Sequence, residues 1–216
     1  MSKNISKKDI YNFLKNNTAK TSILNKLKIV YRPFICPFDE LLNEIEINSS
    51  LFDIGCGSGQ FLSIVAKFKS SKALGGVEID SELVNNALKL LEQYAPISKI
   101  EQYDGVNLPT YIENYKYITL IDVIHHVNKE KQNDFIAEIY NKMSLGSRLI
   151  LKDINADSFF VWGNKIHDLI LSKEIGKELS LKAMIDILKA QGFKIVKISQ
   201  KRLYWYPHYT IVCDKI

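Results

Sequence analysis

The sequence has no apolar run that approaches the roughly 18 residues needed to span a membrane. Its N-terminal stretch, MSKNISKKDIYNFLKNN, is polar and basic and lacks the apolar segment of a signal peptide. Only three cysteines occur, with no Cys-x-x-Cys pair: Cys36, Cys56 and Cys213. These absences argue against a disulfide framework and against a zinc site. We therefore expect a protein of the reducing cytoplasm with no membrane span.

Internal repeats, low-complexity stretches and Gly/Ser-rich linkers are also missing. The chain has 216 residues, of which 46% are hydrophobic and 25% are charged. That length and composition suit one domain with a substantial core and give no sign of disorder. We predict a single domain over residues 1–216, and the sequence carries no signal for its oligomeric state.

Positive charge is concentrated near the N-terminus. The chain has a net charge of +5, while residues 1–29 hold seven lysines and one acid, Asp9, which leaves −1 for the rest. A basic arm of this kind can favour a phosphate-rich partner. Lysine is abundant along the whole chain, however, and a solvated helix face explains the arm more simply. Nucleic acid is therefore not the expected partner.

From residue 50 onward, apolar runs alternate with amphipathic segments. The predicted strands are residues 51–54, 73–79, 99–102, 117–123 and 147–152, and the predicted helices are residues 60–68, 81–94, 129–143 and 180–190. Two last strands, residues 193–199 and about 208–214, have a connection too short for a crossover helix and should pair antiparallel. The pattern predicts an α/β fold with a doubly wound, mostly parallel sheet.

Two segments lie outside this alternation. Residues 1–47 are predicted to form an N-terminal helical cap, in which Pro33 and Pro37 mark an extended connector. Residues 156–179 are predicted to form a lid inserted after the fifth strand, where it would overhang the ligand-binding carboxyl edge of the sheet. Residues 48–155 form the predicted core, and residues 180–216 supply the last helix and the hairpin.

The stretch LFDIGCGSGQFL places three glycines between a predicted strand and a predicted helix: Gly55, Gly57 and Gly59. Glycines let the backbone turn tightly and approach a ligand, and the following helix offers free N–H groups. A dinucleotide fingerprint would need its third glycine at position 60, which holds Gln60. The spacing thus disfavours a nicotinamide-dependent reductase, although that alternative stays open.

Acidic residues end the next two predicted strands. Glu78 follows the glycines by about 20 residues, where a carboxylate can accept hydrogen bonds from ribose hydroxyls. Asp104, in YDGVNLP, is placed to accept from an exocyclic amine or simply to form an Asp-Gly turn.

Four motifs in order, LFDIGCGSG, GVEID, YDGVNLP and ITLIDVIHHV, resemble those of class I S-adenosylmethionine-dependent methyltransferases of the small-molecule type. The resemblance covers about residues 48–155, and the closing hairpin extends it to the C-terminus. It implies a Rossmann-like methyltransferase fold whose seven-stranded sheet has its last strand pair antiparallel. It also implies that S-adenosylmethionine is the cofactor and S-adenosylhomocysteine the product.

The resemblance implies a set of cofactor-binding residues. Asp53, Gly55, Gly57 and Gly59 would line the methionine end, with Cys56 inside the same loop. Glu78 would hold the ribose, Ile79 would lie against the adenine, and Asp104 and Gly105 would meet the adenine edge. Asp122 would lie near the methionine moiety and the reacting methyl group.

His125 and His126 match a His-His pair of many small-molecule members, and they are the candidate catalytic residues. A histidine can take a proton from an acceptor that must ionise before it is methylated. Asp153, Asn155 and Asp157 have alternating oxygen ligands that suit a hard cation, but an ordinary loop is the simpler interpretation, so no metal is predicted.

The predicted activity is methyl transfer to a small or carrier-bound metabolite by in-line displacement. Neither an NPPY-like tetrapeptide nor a Pro-Cys pair follows the fourth strand, which disfavours amino methylation of adenine or glutamine and C5 methylation of cytosine. Two alternatives stay open. One is an RNA methyltransferase that uses the basic N-terminal arm. The other is a non-catalytic protein that binds S-adenosylmethionine or S-adenosylhomocysteine.

Overall fold

The computed structural model describes residues 5–17, 31–156, 178–204 and 206–216. The predicted lid over residues 156–179 falls almost wholly outside the described residues, as does part of the basic N-terminal arm. Among the described residues, no helix is long and apolar enough to cross a membrane.

Helices and strands alternate through most of the described chain. The helices whose two ends are described are α1 Lys7–Asn17, α2 Phe38–Asn43, α3 Gln60–Lys69, α4 Ser81–Leu90, α5 Lys129–Lys142 and α6 Leu181–Ala190. The strands are β1 Ser50–Ile54, β2 Ala73–Glu78, β3 Ser98–Gln102, β4 Tyr117–Ile121, β5 Arg148–Ile154, β6 Phe193–Leu203 and β7 Tyr206–Lys215. Short 3-10 turns cover Glu92–Ile97, Thr110–Asn114 and Ile124–His126.

The strands form a seven-stranded sheet in the order β3-β2-β1-β4-β5-β7-β6. The pairs β1–β2, β2–β3 and β4–β5 are parallel, whereas β7 runs antiparallel to both β5 and β6. The predicted fold class is therefore confirmed: a doubly wound α/β sheet with an antiparallel last pair. The chain divides into two compact units, Met1–Asn107 and Leu108–Ile216.

The first unit is built on α3 and the strands beside it. Residues 60–66 of α3 are all buried, and β1 and β2 contribute fully buried Leu51, Phe52 and Leu74. Helix α1 is anchored by buried Ile10 and Leu14, and its Phe13 ring meets the Phe68 ring of α3 edge-on, with ring centroids 5.7 Å apart. Burial of these apolar faces is the main stabilising contribution here.

One expectation about the first unit was wrong. Residues 31–35 are helical, although Pro33 and Pro37 had predicted an extended connector. The backbone N–H of Cys36 donates to the carbonyl of Arg32 at 2.8 Å. That bond spans one helical turn without needing the N–H that proline lacks, so Pro33 does not interrupt it.

In the second unit every residue of β4 is buried, as expected for a strand covered on both faces. The C-terminal hairpin is longer than predicted, because β6 continues to Leu203 and turns through Tyr204, which has a φ of 57°. Much of β6 is exposed and polar, so the apolar pattern that marks a strand ends before the backbone pairing does.

Candidate functional site

The glycine loop after β1 has a left-handed backbone conformation at each of its three glycines. Gly55, Gly57 and Gly59 have φ values of 70°, 54° and 73°, a region that costs other residues about 1–2 kcal/mol. The backbone N–H groups of Gly55 and Cys56 donate to the carbonyl of Val77 at 2.9 and 3.0 Å. The loop is thus attached to the end of β2, and its last glycine caps the N-terminus of α3.

Glu78, at the end of β2, holds the loop with its side chain. Its Oε2 accepts from the N–H of Gly57 at 2.9 Å, and its Oε1 accepts from the N–H groups of Ile79 and Asp80 at 2.8 and 3.2 Å. The residue is only 8% exposed. A carboxylate has about four acceptor positions, which leaves capacity for ligand hydroxyls.

The glycines differ in what surrounds them. A Cβ at Gly59 would lie 2.9 Å from the Cβ of Ala87 on α4, so this glycine allows close helix packing. Gly76 of β2 is equally tight, since its Cβ would lie 3.0 Å from the sulfur of Cys56. At Gly57, by contrast, the first atom met is Nη1 of Arg32 at 4.0 Å. The loop therefore offers an open surface at Gly57, as a bound cofactor would require.

The residues predicted to meet an adenine lie together in the first unit. Ile79 is 58% exposed, and a Cβ at Gly105 would lie 3.5 Å from its Cγ2. Gln102 supports this surface by donating from Nε2 to the carbonyl of Ile79 at 2.9 Å. The N–H of Tyr103 donates to the carbonyl of Glu78 at 3.1 Å. An apolar side chain beside an open glycine suits a flat ring.

Asp104 organises the turn that follows β3. Its Oδ1 accepts from the N–H groups of Val106 and Asn107 at 2.8 and 2.7 Å, and its Oδ2 accepts from Nδ2 of Asn107 at 2.6 Å. The hydrogen bonds from Asn107 and Val106 lower the pKa of Asp104 to about 2. The carboxylate is therefore charged at neutral pH and can accept a further hydrogen bond.

Cys56 in the glycine loop and Asp53 just before it are both buried. Cys56 is 6% exposed, and burial, followed by the charges of Asp53 and Glu78, raises the pKa of its thiol. The thiol therefore stays protonated near neutral pH and is a poor nucleophile. Asp53 is 3% exposed at the end of β1, opposite Gly76 in the register with β2.

The second unit brings the two histidines to a short turn after β4. His125 is 3% exposed, and its Nδ1 lies 2.5 Å from Oδ1 of Asp153 on β5. His126 is exposed, and its ring centroid lies 4.2 Å from that of His125. Buried Gln132 donates from Nε2 to the carbonyls of Ile124 and Val127 at 3.0 and 3.1 Å, which holds both ends of the turn.

Asp122 has a strained backbone, with a φ of 57°. Its N–H donates to the carbonyl of Lys152 at 2.9 Å, and its Oδ1 forms an ion pair with the Nζ of the same lysine. The lysine side chain is 1% exposed and the Asp122 side chain is 21% exposed. The buried Lys152 side chain thus forms its ion pair with Asp122, the residue that the resemblance places near the reacting methyl group.

Asp153 has a buried tyrosine, Tyr209, beside it in the sheet. Tyr209 of β7 pairs directly with Asp153 of β5 in the sheet register. Within the described part of the chain, neither the Tyr209 hydroxyl nor Oδ2 of Asp153 has a hydrogen-bond partner. Burial, together with the charges of Asp153 and Asp122, raises the pKa of the Tyr209 hydroxyl.

The predicted residues thus fall into two groups. The first unit brings together Asp53, Gly55, Cys56, Gly57, Gly59, Glu78, Ile79, Asp104 and Gly105, and the second brings together Asp122, His125 and His126. Sequence reasoning missed Arg32, Lys152 and Tyr209, and did not pair Asp153 with His125. A lysine inside the apolar strand RLILKDI was the one available signal. Among the described residues, no group of three His, Cys, Asp or Glu could hold a metal ion.

Comparisons with known proteins identify the family of this chain. A family model described as a methyltransferase domain matches residues 30–198. A carboxy-S-adenosyl-L-methionine synthase of Campylobacter jejuni subsp. jejuni serotype O:6 is 24% identical over 188 residues, which is 83% of this chain and 70% of that protein.

Solved structures share the fold at low identity. The magnesium protoporphyrin IX methyltransferase of Synechocystis PCC 6803, with bound S-adenosylhomocysteine, is 16% identical with a TM-score of 0.70, over 99% of this chain and 96% of that one. An S-adenosylmethionine-dependent methyltransferase of Aquifex aeolicus is 13% identical with a TM-score of 0.67, over 95% and 98%. The chain belongs to the methyltransferase-domain family, and it is an S-adenosylmethionine-dependent methyltransferase.

Proposed function

We propose that the protein transfers a methyl group to a small or carrier-bound metabolite by in-line displacement, and that the acceptor loses a proton to His126. The observation that carries this proposal is the histidine turn: an exposed imidazole, His126, stands next to a buried His125 whose Nδ1 is held by Asp153 at 2.5 Å. A methyl acceptor that must ionise needs a base held in a fixed position to take its proton.

The residues for the cofactor are those of the glycine loop and the strand ends beside it. Glu78 accepts from the ribose hydroxyls, Ile79, Asp104 and Gly105 bind the adenine, and the loop from Asp53 to Gly59 binds the methionine end. Asp122 is assigned to the transferred methyl group on the resemblance alone. The open surface at Gly57 supports the assignment of the loop. When bound, S-adenosylmethionine supplies a methyl group already activated by its sulfonium, so the protein has mainly to align the acceptor and exclude water.

Burial gives the two histidines different tasks. His126 is exposed and can reach an acceptor, whereas the Nδ1 of buried His125 is occupied by Asp153. We assign proton removal to His126 and a supporting role to His125, which orients the turn and lies 4.2 Å from the His126 ring.

A small acceptor is favoured over RNA for two reasons. The fold accommodates small molecules, since the Synechocystis relative is named for magnesium protoporphyrin IX. Lysine is abundant along the whole chain, so the basic N-terminal arm is not a specific signal for RNA.

The test is a transfer assay with methyl-tritiated S-adenosylmethionine and an extract of the cells that make the protein. We expect label in the small-molecule fraction or on a carrier from which mild hydrolysis releases a small product. Label that remains in RNA would replace the proposal with the RNA alternative. Cofactor binding without transfer to any fraction would favour a non-catalytic binding protein.

The histidine assignment has its own readout. Once an acceptor is identified, kcat of the wild-type protein should rise with pH as the general base loses its proton. His126→Gln should lower kcat by about 100-fold or more, the usual range for a general base, and remove that rise. His125→Gln should lower kcat less and keep the pH dependence. A His126→Gln variant with an unchanged pH profile would overturn the assignment.

A further inference from the structure

Two buried polar side chains of the second unit are neighbours in the sheet. Asp153 of β5 and Tyr209 of β7 are directly opposite each other in the antiparallel register. Such residues place their side chains on the same face of the sheet, with Cβ atoms about 4.5–5.5 Å apart. Within the described residues, neither Oδ2 of Asp153 nor the Tyr209 hydroxyl forms a hydrogen bond. One small ligand group can therefore contact both atoms.

The fold itself gives no reason for these two polar atoms. Asp153 is 1% exposed and Tyr209 is 0% exposed, so bulk water does not hydrate them. A buried polar atom that makes no hydrogen bond loses its hydration without compensation, and nearly all buried polar atoms of folded proteins have a partner. Phenylalanine at position 209 would supply the same ring without this cost. A ligand that binds the hydroxyl would explain why tyrosine is present.

Both residues lie where a methyl acceptor is expected. Asp153 is the next-to-last residue of β5, and Tyr209 is near the start of the antiparallel β7. They are therefore at the carboxyl edge of the parallel strands, where open α/β sheets bind ligands. Oδ1 of Asp153 lies 2.5 Å from Nδ1 of His125 and accepts from the N–H of Ile154 at 2.7 Å. These contacts fix the carboxylate beside the histidine turn and leave Oδ2 for a ligand.

The chemistry of the two atoms defines the group that they can bind. A carboxylate oxygen only accepts hydrogen bonds, whereas a tyrosine hydroxyl can donate one. A ligand hydroxyl has one donor and two acceptor positions, so it can donate to Asp153 and accept from Tyr209 at the same time. An ammonium group has no acceptor for the tyrosine, and a carboxylate or phosphate would meet Asp153 with like charge. An uncharged hydroxyl therefore fits the pair.

We propose that Asp153 and Tyr209 bind a hydroxyl of the methyl acceptor, and that this hydroxyl is not the group that is methylated. The proposal rests on the proposed function, in which His126 takes the proton of the reacting group. The proton of the second hydroxyl is held by Asp153, so this hydroxyl orients the acceptor instead of attacking the methyl group. The methylated product therefore keeps it as a free hydroxyl.

The experiment is methyl transfer by the full chain from methyl-tritiated S-adenosylmethionine to the extract fraction that accepts label, titrated over a range of dilutions. Tyr209→Phe should raise the half-saturating amount of that fraction by about 3- to 10-fold, since one hydrogen bond is lost, and should keep the affinity for S-adenosylhomocysteine within about twofold. Tyr140→Phe is the matched control and should change neither value. The Tyr140 ring packs on Phe193, at the opposite end of the β6–β7 pair.

A second variant tests whether both side chains bind the same hydroxyl. Asp153→Asn keeps one oxygen but places an amide donor where the ligand needs an acceptor, so it should raise the half-saturating amount by about 10-fold or more. The variant that carries both substitutions should lose less than the product of the two single losses, because both act on one ligand group. Losses that multiply would show that the two side chains share no ligand group, and the proposal would be wrong.

The labelled product gives an independent readout. Acetic anhydride should change its chromatographic mobility, because the bound hydroxyl stays free, and an unchanged mobility would overturn the proposal. An unchanged half-saturating amount in Tyr209→Phe would also overturn it; together with a loss of stability, that result would identify the ligand as a resident water. If the wild-type protein transferred no label to any fraction, the proposed function would fail first and this proposal with it.

Discussion

The backbone N–H of Gly57 donates to Oε2 of Glu78 at 2.9 Å across 21 positions of the chain. Glu78, which is assigned to the ribose, therefore also accepts a hydrogen bond from the loop that is assigned to the methionine end of the cofactor. Because one carboxylate does both, cofactor binding and loop structure cannot be altered independently at Glu78.

Glu78→Gln should weaken S-adenosylhomocysteine binding by about 10- to 100-fold, since charge-assisted hydrogen bonds are each worth roughly 1.5–3 kcal/mol. It should also lower the melting temperature, because the amide turns a donor toward the backbone N–H groups of Gly57 or Ile79. Calorimetry and thermal unfolding measure the two effects. Glu82→Gln, an exposed acid in the first turn of α4, is the control. Unchanged affinity at Glu78 would remove it from the cofactor site.

Gly59→Ala and Gly146→Ala should differ in cost although both glycines have similar backbone angles, with φ of 73° and 76°. A Cβ at Gly146 would meet nothing within 4 Å, so we expect only the conformational cost of about 1–2 kcal/mol. At Gly59 the contact with Ala87 should add about 1–3 kcal/mol. Urea unfolding measures both. Equal costs would mean that α3 and α4 adjust freely, and partial rescue of Gly59→Ala by Ala87→Gly would confirm the contact.

Tyr209→Phe should leave the unfolding free energy unchanged or raise it. The hydroxyl has no partner within the described residues, so its removal loses no hydrogen bond and relieves the cost of burying a polar group. Tyr209→Ala, which removes the ring as well, should cost about 3–5 kcal/mol. A loss of more than about 1 kcal/mol in Tyr209→Phe would show that a bridging water satisfies the hydroxyl in solution.

The three thiols should react slowly with Ellman's reagent at pH 8 in the native protein and rapidly after unfolding. Cys36, Cys56 and Cys213 are all buried. Burial raises the pKa of Cys56 and Cys213, so little thiolate is present at that pH. The number of thiols that react before and after addition of urea is the measurement. One thiol that reacts within the mixing time would contradict the burial of at least one of these three cysteines.

Asp104 should make stability depend on pH only in acid. Hydrogen bonds from Asn107 and Val106 lower its pKa from 3.8 to about 2, so the folded state favours the charged form. Its contribution is complete above the unfolded pKa near 4 and is lost as the pH falls toward 2. The stability gap between wild type and Asp104→Ala in urea should therefore be constant from pH 5 to pH 7 and narrow below pH 4. A constant gap down to pH 3 would contradict the hydrogen bonds.

Local pattern was enough to predict the framework of the site. Three features depend only on residues that are neighbours in sequence: the glycines between β1 and α3, the acid that ends β2 and the buried run of β4. The structure has the predicted loop at the glycines and the predicted strands at the other two. The antiparallel hairpin also followed from a connection too short for a crossover helix. The observed extra length of β6 did not follow, because an edge strand needs no apolar alternation to remain paired.

The sequence by itself thus determined the order of strands and helices, the glycine loop and the family motifs, because these are set by local periodicity and by backbone angles that glycine favours. Tertiary structure alone decided which side chains meet. Arg32 lies beside Gly57 and packs on Phe38, which stacks on Phe61. His125 is buried and contacts Asp153, while its neighbour His126 is exposed. Such contacts depend on strand register and on the packing of segments far apart in the chain, and no spacing between adjacent residues encodes them.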